Sequence, residues 1–209
     1  MPPKALEGGP ADASRKPNCS LLKQCGLEAE FVFPKARYSA ATTKQIAAEA
    51  EVPIGSLYQF FSDKAAILQA LAECYTDLFI QRLQVLERAD VLALSLSDSV
   101  KRLTEEVDSF FRENPAYRAI FVEITMTMPE IDEAMDDKVI QTLVGILLKL
   151  NDALKPSECE AIAFVVVKAI GHLQWISSGQ APECRERLLP EIQRLTFHYL
   201  DSYFHKKSL

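Results

Sequence analysis

The side chains best suited to recognising another molecule lie within residues 42–71, TTKQIAAEAEVPIGSLYQFFSDKAAILQAL. Lys64 stands at the first turn of a predicted helix, where the helix dipole disfavours a cation. A phosphate bound there would explain this lysine, and an ordinary solvated lysine is the alternative explanation. Just before it, small, polar and aromatic residues are spaced to face outward or sideways from a short helix: Pro53, Ile54, Ser56, Tyr58, Gln59 and Phe60. The chemistry indicated is non-covalent reading of DNA.

Two short helices joined by a tight turn would position these residues. The first begins at Thr42-Thr43, because a threonine oxygen can accept the amide three residues on while Gln45 reaches back to cap it. The apolar residues that follow are spaced for one buried face: Ile46, Ala47 and Ala50.

The turn itself is expected at Glu51-Val52. Pro53 cannot continue a helix by donating a hydrogen bond, yet it suits the first turn of a new one. In this second helix Leu57 and Phe61 are four residues apart and face inward. Ser62-Asp63 then caps a third, longer helix.

The run TTKQIAAEAEVPIGSLYQFFSDKAAIL resembles the DNA-binding signature of the TetR family of bacterial transcriptional regulators. That signature pairs I-A-x-x-A with G-[ST]-L-Y-x-[YF]-F and then a lysine. The resemblance implies that phosphates are held by Thr42, Thr43, Tyr58 and Lys64. It also implies that base edges are approached by Pro53, Ile54, Ser56 and Gln59. Gly55 and Phe60 complete the predicted DNA-binding set.

The chain departs from the family pattern at several positions. The family usually has glycine where Glu51 stands and often tyrosine where Phe60 stands, and Phe60 can pack against sugar but cannot donate a hydrogen bond. Residues 20–33 should form the first helix, but Gly26 lies within it and Arg37 follows where the family prefers glycine. A binding protein that no longer reads DNA therefore stays an alternative.

Composition limits the function classes. The 209 residues carry a net charge of −6, which argues against a protein that coats nucleic acid indiscriminately. Five scattered cysteines without C-x-x-C spacing indicate reduced thiols of a cytoplasmic protein, and Cys74 and Cys159 are expected in the core. No stretch is expected to approach the ~20 apolar residues of a membrane span, so no membrane partner is predicted.

An all-α fold is predicted throughout, because no alternating strand pattern appears. After the helix-turn-helix, the segment Lys64 to Leu86 carries a wide apolar face. A further helix begins at Ser97 or Asp98 and ends at Asn114-Pro115. Prolines 115, 129, 156, 182 and 190 divide the rest into helical segments at 116–126, 130–150, 158–178 and 183–204. The predicted domains are a disordered arm, a helix-turn-helix domain and a ligand-binding and dimerisation domain, at 1–18, 19–66 and 67–209.

The last two segments, 158–178 and 183–204, are apolar over most of their surface. Such helices need cover on two sides, which predicts a four-helix interface in a homodimer; burial within a monomer is the alternative. Family members resembling this chain dimerise in this way.

The predicted ligand-binding domain also contains large adaptable side chains, which predict a site for a hydrophobic or aromatic small molecule. The residues predicted to bind this ligand are Phe79, Leu103, Phe110, Phe111, Tyr117, Phe121, Met126, Phe164, His172 and Trp175. His172 and Gln174 are the polar groups expected to orient a ligand, and Lys168 is the charge within the apolar runs. The acidic pairs Asp132-Glu133 and Asp136-Asp137 are interpreted as a solvated helix face.

No catalytic motif is present: the sequence lacks H-E-x-x-H, G-x-S-x-G and a glycine-rich phosphate loop. An enzyme, a metal site and a cofactor are therefore not predicted. The favoured hypothesis is a ligand-responsive transcriptional regulator, most simply a repressor, that binds a pseudo-palindromic double-stranded DNA operator as a dimer.

Overall fold

The computed structural model describes residues 42–49 and 51–204. The chain divides into two compact units, Met1–Leu71 and Ala72–Leu209. Over the described ranges the chain forms helices and turns and no β-strand, which confirms the all-α prediction. The predicted arm at 1–18 and the predicted first helix at 20–33 lie outside the described residues.

In the first unit, α1 (Thr43–Glu49) packs on α2 (Ile54–Phe60), and α3 (Lys64–Leu83) begins. The inward residues of all three are almost fully buried: Ile46, Ala47, Leu57, Phe61, Ile67 and Leu68. The inward positions of Leu57 and Phe61 are as predicted. Burial of these side chains stabilises α1 and α2, because helices of only two turns are too short to be stable alone.

The second unit starts within α3 and continues through two short elements. The predicted helix to Leu86 is slightly too long, because α3 ends at Leu83 and a 3₁₀ turn follows at Gln84–Glu87. A single turn, α4 (Ala89–Leu92), precedes α5 (Leu96–Glu113). The Ser95 hydroxyl caps α5 by accepting the Asp98 amide at 3.2 Å, so the helix starts before the predicted Ser97 or Asp98.

Proline marks the start of four helices in the second unit: α6 (Pro115–Thr127), α7 (Pro129–Leu150), α8 (Pro156–Val165) and α10 (Pro182–Phe204). The first helical position suits proline, because its missing amide would have no intrahelical partner there. Each helix thus begins one or two residues before its prediction. Pro190 lies inside α10 without ending it, as the predicted segment 183–204, which spans this proline, requires.

The predicted segment 158–178 is helical throughout but not regular. After α8, the six residues Val166–Gly171 form a π-helical turn, and α9 (His172–Ser178) follows directly. The core of the unit lies where α7 packs on α8 and where α5 packs on α9 and α10. Cys159, Ile162 and Ala163 are fully buried there. Cys74 is buried as well, so both cysteines that were predicted to lie in the core do so.

Candidate functional site

The helix-turn-helix starts with a reciprocal cap on α1. The Gln45 amide donates to the Thr42 hydroxyl at 3.2 Å, and the Gln45 side-chain oxygen accepts from the Thr42 amide at 2.9 Å. This is the predicted capping pattern, and it satisfies two backbone groups that the helix leaves open. Thr42 is exposed and Thr43 half-buried at this end of α1.

The turn after α1 contains a left-handed residue. The Glu51 amide donates to the Ala48 carbonyl at 3.2 Å and the Val52 amide to the Ala47 carbonyl at 3.0 Å, the pair of bonds of a Schellman motif. Glu51 has φ 52°, where glycine is the usual residue. The turn falls where the sequence predicts, with glutamate in the strained position.

The α2 helix has one buried side and one exposed side. Leu57 is 1% exposed, whereas Tyr58 is 54% and Phe60 45% exposed. Pro53 is the residue before the helix rather than part of its first turn, with its carbonyl accepting the Ser56 and Leu57 amides. A Cβ added at Gly55 would meet no atom of the described residues within 4 Å, so packing against them does not require glycine there.

Asp63 caps α3. Its carboxylate accepts the Ala66 amide at 2.9 Å, and this bond, together with the Ser62 hydroxyl, holds the pKa of Asp63 below its ordinary value. Lys64 is half-buried at the start of α3. All ten residues predicted to contact DNA are thus at least partly accessible, on the start of α1, along α2 and at the start of α3.

A cavity of about 110 Å³ lies in the second unit, far larger than one water molecule needs. Seven of the ten residues predicted to bind a ligand line it: Phe79, Leu103, Phe111, Tyr117, Phe121, His172 and Trp175. Their rings pack closely, with the centroids of Phe111 and Tyr117 5.9 Å apart and those of Phe121 and Trp175 5.4 Å apart. The wall is therefore largely aromatic.

The other three predicted ligand residues do not line this cavity. Phe110 is 2% exposed and packs behind Phe79 and Tyr117 in the core. Met126 and Phe164 are 77% and 54% exposed, because they lie on the outer sides of α6 and α8. Periodicity alone could not separate these outward residues from inward ones, since both helices are apolar on more than one side.

The cavity also has a charged edge that the sequence interpretation placed wrongly. Asp136 lines it and forms an ion pair with Lys168 of the π-helical turn. It is therefore not part of a purely solvated acidic face. Asp132, one turn earlier, accepts the Thr125 hydroxyl at 3.1 Å, and burial raises its pKa. The signal in the sequence was the lysine within an apolar run, which requires a counter-charge.

Gln174 joins α9 to α5 in the cavity wall, and the phenol of Tyr117 is a second polar group there. The Gln174 amide donates to the Thr104 carbonyl at 2.9 Å, a buried bond between α9 and α5. Gln174, which is predicted to orient a ligand, lines the cavity, and its amide nitrogen donates to this carbonyl. Burial, with the nearby Asp136 and Asp132, raises the pKa of Tyr117, which keeps its phenol neutral.

Arg118 contacts both the ring and the carbonyl of Trp175. The Arg118 guanidinium lies over its ring, 4.5 Å from the centroid, and donates to the Trp175 carbonyl at 2.7 Å. The indole nitrogen of Trp175 is one of two buried side-chain polar atoms that have no hydrogen-bonding partner within residues 42–49 and 51–204. The other, the Ser99 hydroxyl, lines a second, apolar cavity of about 30 Å³.

Apolar side chains are exposed on the helices at the end of the chain: Phe164, Val165, Leu173, Ile176 and Leu195. The stretch Pro156–Ser178 is long and apolar enough to cross a membrane by length and composition, so the expectation that no stretch comes close was wrong. A third of its most apolar window is buried inside the unit.

Comparison with known proteins covers both units. Residues 29–71 match the family model described as bacterial regulatory proteins, tetR family, and residues 95–200 match the one described as tetracyclin repressor-like, C-terminal domain. No curated protein matches this chain significantly.

Solved structures share the fold over nearly their whole length. A TetR-family transcriptional regulator from Streptomyces coelicolor is 20% identical, with 87% of this chain and 98% of that chain covered and a TM-score of 0.62. A TetR-family regulator from Pectobacterium atrosepticum is 14% identical, with 92% and 100% covered and a TM-score of 0.63. The fatty acid degradation regulator FadR from Bacillus halodurans is 15% identical, with 88% and 97% covered and a TM-score of 0.62.

Proposed function

This chain belongs to the TetR family of bacterial transcriptional regulators, and from that premise we propose that it is a cytoplasmic repressor. As a homodimer it binds a pseudo-palindromic DNA operator, with one α2 helix entering the major groove at each half-site. A hydrophobic small molecule in the cavity of the second unit releases it.

The exposed face of α2 is the observation that carries the proposal. Its inner residue Leu57 is buried, while Pro53, Ser56, Gln59 and the ring of Tyr58 are exposed on the other sides. Side chains of this kind can contact base edges and phosphates. Gly55, which no neighbour among residues 42–49 and 51–204 requires, leaves space for a close approach of the DNA backbone.

A binding protein that has lost DNA recognition is the second candidate. Its motivation is the departure of the predicted first helix, residues 20–33, from the family pattern, together with the glutamate at position 51 and the missing hydroxyl at Phe60. Residues 20–33 lie outside the described residues. The two hydrogen bonds of the turn form with Glu51 in the left-handed conformation, so the substitution is compatible with the turn geometry. This compatibility favours a helix-turn-helix that still binds DNA over one that has lost DNA recognition.

A homodimer would cover the exposed apolar residues of α8, α9 and α10. The interface predicted from the sequence consists of the segments 158–178 and 183–204. Four of their apolar side chains are 39% to 54% exposed: Phe164, Leu173, Ile176 and Leu195. A two-fold symmetric contact uses the same patch on both copies, so one set of residues covers both. Dimerisation also places two α2 helices on one DNA molecule, which raises affinity.

Release would follow from a difference in ligand affinity between two conformations of the dimer. Phe79 in the cavity wall and Lys64 in the predicted DNA-binding set lie on the same helix, α3. A coupling of ~1–3 kcal/mol, typical of such linkage, would change operator affinity by about 5-fold to 150-fold.

Selection of bound duplexes from a random DNA pool at physiological salt tests the proposal. The native protein should recover an inverted repeat, and Gln59→Ala should recover the same repeat with relaxed preference at one base position per half-site. Lys64→Ala is the matched control, because loss of a phosphate contact weakens all sequences alike. If folded native protein recovers no duplex above background, the result would favour the second candidate, a binding protein that has lost DNA recognition.

A further inference from the structure

We propose that the ligand is a molecule with an unbranched alkyl chain and a polar end, and that the end of its chain occupies the smaller cavity of about 30 Å³. The inference rests on the proposed function, because it takes the larger cavity of about 110 Å³ as the ligand site. It adds the chemical class of the ligand and a separate site for its tail.

The two cavities are neighbours in the second unit. Leu103 of α5, Leu143 of α7 and Val166 at the start of the π-helical turn line both of them. Each of these side chains therefore borders the larger cavity on one side and the smaller cavity on another. All three are aliphatic, so a change of their rotamers joins the two spaces without breaking a side-chain hydrogen bond or an ion pair.

The residues of α5 that line the cavities form one continuous face. Leu96 and Val100 line the smaller cavity. Leu103 lines both, and Val107 and Phe111 line the larger one. The steps between these residues are three or four positions, which is the spacing of one helix face. The two cavities therefore follow each other along α5, and the distance from Leu96 to Phe111 is about 22 Å at a rise of ~1.5 Å per residue.

The α7 helix shows the same order in the opposite chain direction. Asp136 and Val139 line the larger cavity. Leu143 lines both, and Leu147 and Leu150 line the smaller one. The smaller cavity thus lies beside the start of α5 and the end of α7. Two helices that border both cavities in sequence define an elongated space, which suits a long, narrow ligand.

The two cavities differ in polarity. Asp136, Lys168 and His172 bring charged or polar groups to the wall of the larger cavity. Of the described residues that line the smaller cavity, all but Ser99 are aliphatic. The Ser99 hydroxyl oxygen itself has less than 1 Å² of accessible surface, so it offers nothing to a ligand. A ligand with one polar end therefore places that end in the larger cavity, because burying an unpaired polar group costs free energy.

The volume of the smaller cavity selects the shape of the tail. About 30 Å³ exceeds the roughly 10–15 Å³ that one water molecule needs, whereas an apolar cavity that binds benzene measures about 150 Å³. A ring is therefore too large for this space, and the end of an unbranched chain fits. Aliphatic walls offer water no hydrogen bonds, so burial of methylene groups is favoured there.

Calorimetric titration of the full-length protein with straight-chain alcohols from 1-hexanol to 1-undecanol tests the inference. Affinity should rise about fourfold with each added methylene, the effect of burying one CH₂ group, until the chain fills the smaller cavity, and should then level off. 4-Cyclohexylbutanol has as many carbons as 1-decanol but ends in a ring. It should bind about tenfold more weakly, because two or more methylene groups stay unburied. Equal affinity for these two alcohols would overturn the inference.

Two variants of the smaller cavity should move the chain length at which affinity levels off in opposite directions. Val100→Leu adds one methylene to the wall, so it should shorten this length and weaken the longest alcohols about fourfold without affecting 1-hexanol. Leu147→Val removes one methylene and should lengthen it.

Val139→Leu is the matched control, because it makes the same change as Val100→Leu in the wall of the larger cavity. It should weaken short and long alcohols alike. Thermal unfolding checks that each variant is folded. If neither Val100→Leu nor Leu147→Val moves the chain length at which affinity levels off, the smaller cavity is a packing void and the inference is overturned.

The two proposals fail separately in this design. If no alcohol binds folded native protein, the inference is overturned, and the proposed release by a hydrophobic molecule in the larger cavity loses its support as well. If the alcohols bind without the predicted dependence on chain length and on the two variants, only the tail site is wrong. Recovery of an operator from the random DNA pool is independent of both results.

Discussion

The Arg118 guanidinium donates to the Trp175 carbonyl at 2.7 Å and at the same time lies over the Trp175 ring. This contact places a cation at the C-terminal end of α9, where the helix dipole favours it, and joins α6 to α9 at the cavity wall. It requires glycine at position 179, because a Cβ there would lie 2.4 Å from the guanidinium.

Gly179→Ala is therefore expected to displace Arg118 and to lower the free energy of unfolding by about 1–2 kcal/mol through the lost charged hydrogen bond. The backbone of Gly179, at φ −91°, would itself accept alanine. Urea unfolding of Gly179→Ala, Arg118→Met and the double variant measures the coupling. Additive losses would mean that the glycine and the arginine act independently.

Glu51→Gly should stabilise the first unit by about 1 kcal/mol, because glycine adopts the left-handed conformation at little cost. Glu51→Ala is the control, since it removes the carboxylate and keeps the strain. Thermal unfolding should rank glycine above both alanine and glutamate. A gain shared by alanine would assign the effect to charge instead of backbone conformation.

Gly55→Ala should leave the fold intact or stabilise α2 by up to about 1 kcal/mol, the helix-propensity difference between the two residues. The added methyl group meets no neighbour in the part of the chain that the structure describes, but it would stand between α2 and DNA in the proposed complex. Operator affinity should fall while the unfolding midpoint does not. Unchanged operator affinity would show that DNA does not approach this position closely.

Ser99→Ala should be neutral or stabilising, because it removes a buried hydroxyl that has no partner within the described residues. Thr196→Val is the contrasting change. The Thr196 hydroxyl is fully buried and donates to the Ile192 carbonyl at 2.7 Å, so its loss should cost about 1 kcal/mol. Chemical denaturation compares the two; a clear loss for Ser99→Ala would mean that its hydroxyl is satisfied by a bound water.

Acid should weaken the cap of α3. The pKa of Asp63 is held below its ordinary value of 3.8 by the Ala66 amide, so the folded state favours the carboxylate. Its contribution is full above the unfolded pKa and is lost as pH falls through the folded one. Asp63→Asn keeps a capping oxygen without a charge. The stability difference between the two proteins should shrink below about pH 4, and a difference independent of pH would refute the assignment.

The local elements were predictable because their causes are close in sequence. The Thr42-Gln45 cap, the turn at Glu51-Val52 and the inward positions of Leu57 and Phe61 all follow from residues within one or two helical turns. The start of each proline-led helix was misplaced by one or two residues, since proline was taken as a break and it is the first helical residue.

The cavity was only partly predictable, because a cavity is a property of packing between distant segments. The apolar periodicity of α6 and α8 does not distinguish Phe121, which lines the cavity, from Met126 and Phe164, which face outward. Likewise Asp136 resembles a solvated acidic residue until α7 packs beside the π-helical turn and brings Lys168 to it.

The sequence by itself determined the helical class, the helix-turn-helix and the family, because caps, turns and hydrophobic spacing act over a few residues. The tertiary structure alone decided which aromatic residues enclose the cavity, that Asp136 pairs with Lys168, and that Arg118 covers Trp175. The Asp136–Lys168 and Arg118–Trp175 contacts join residues 32 and 57 positions apart, and only the packing of whole helices brings such residues together.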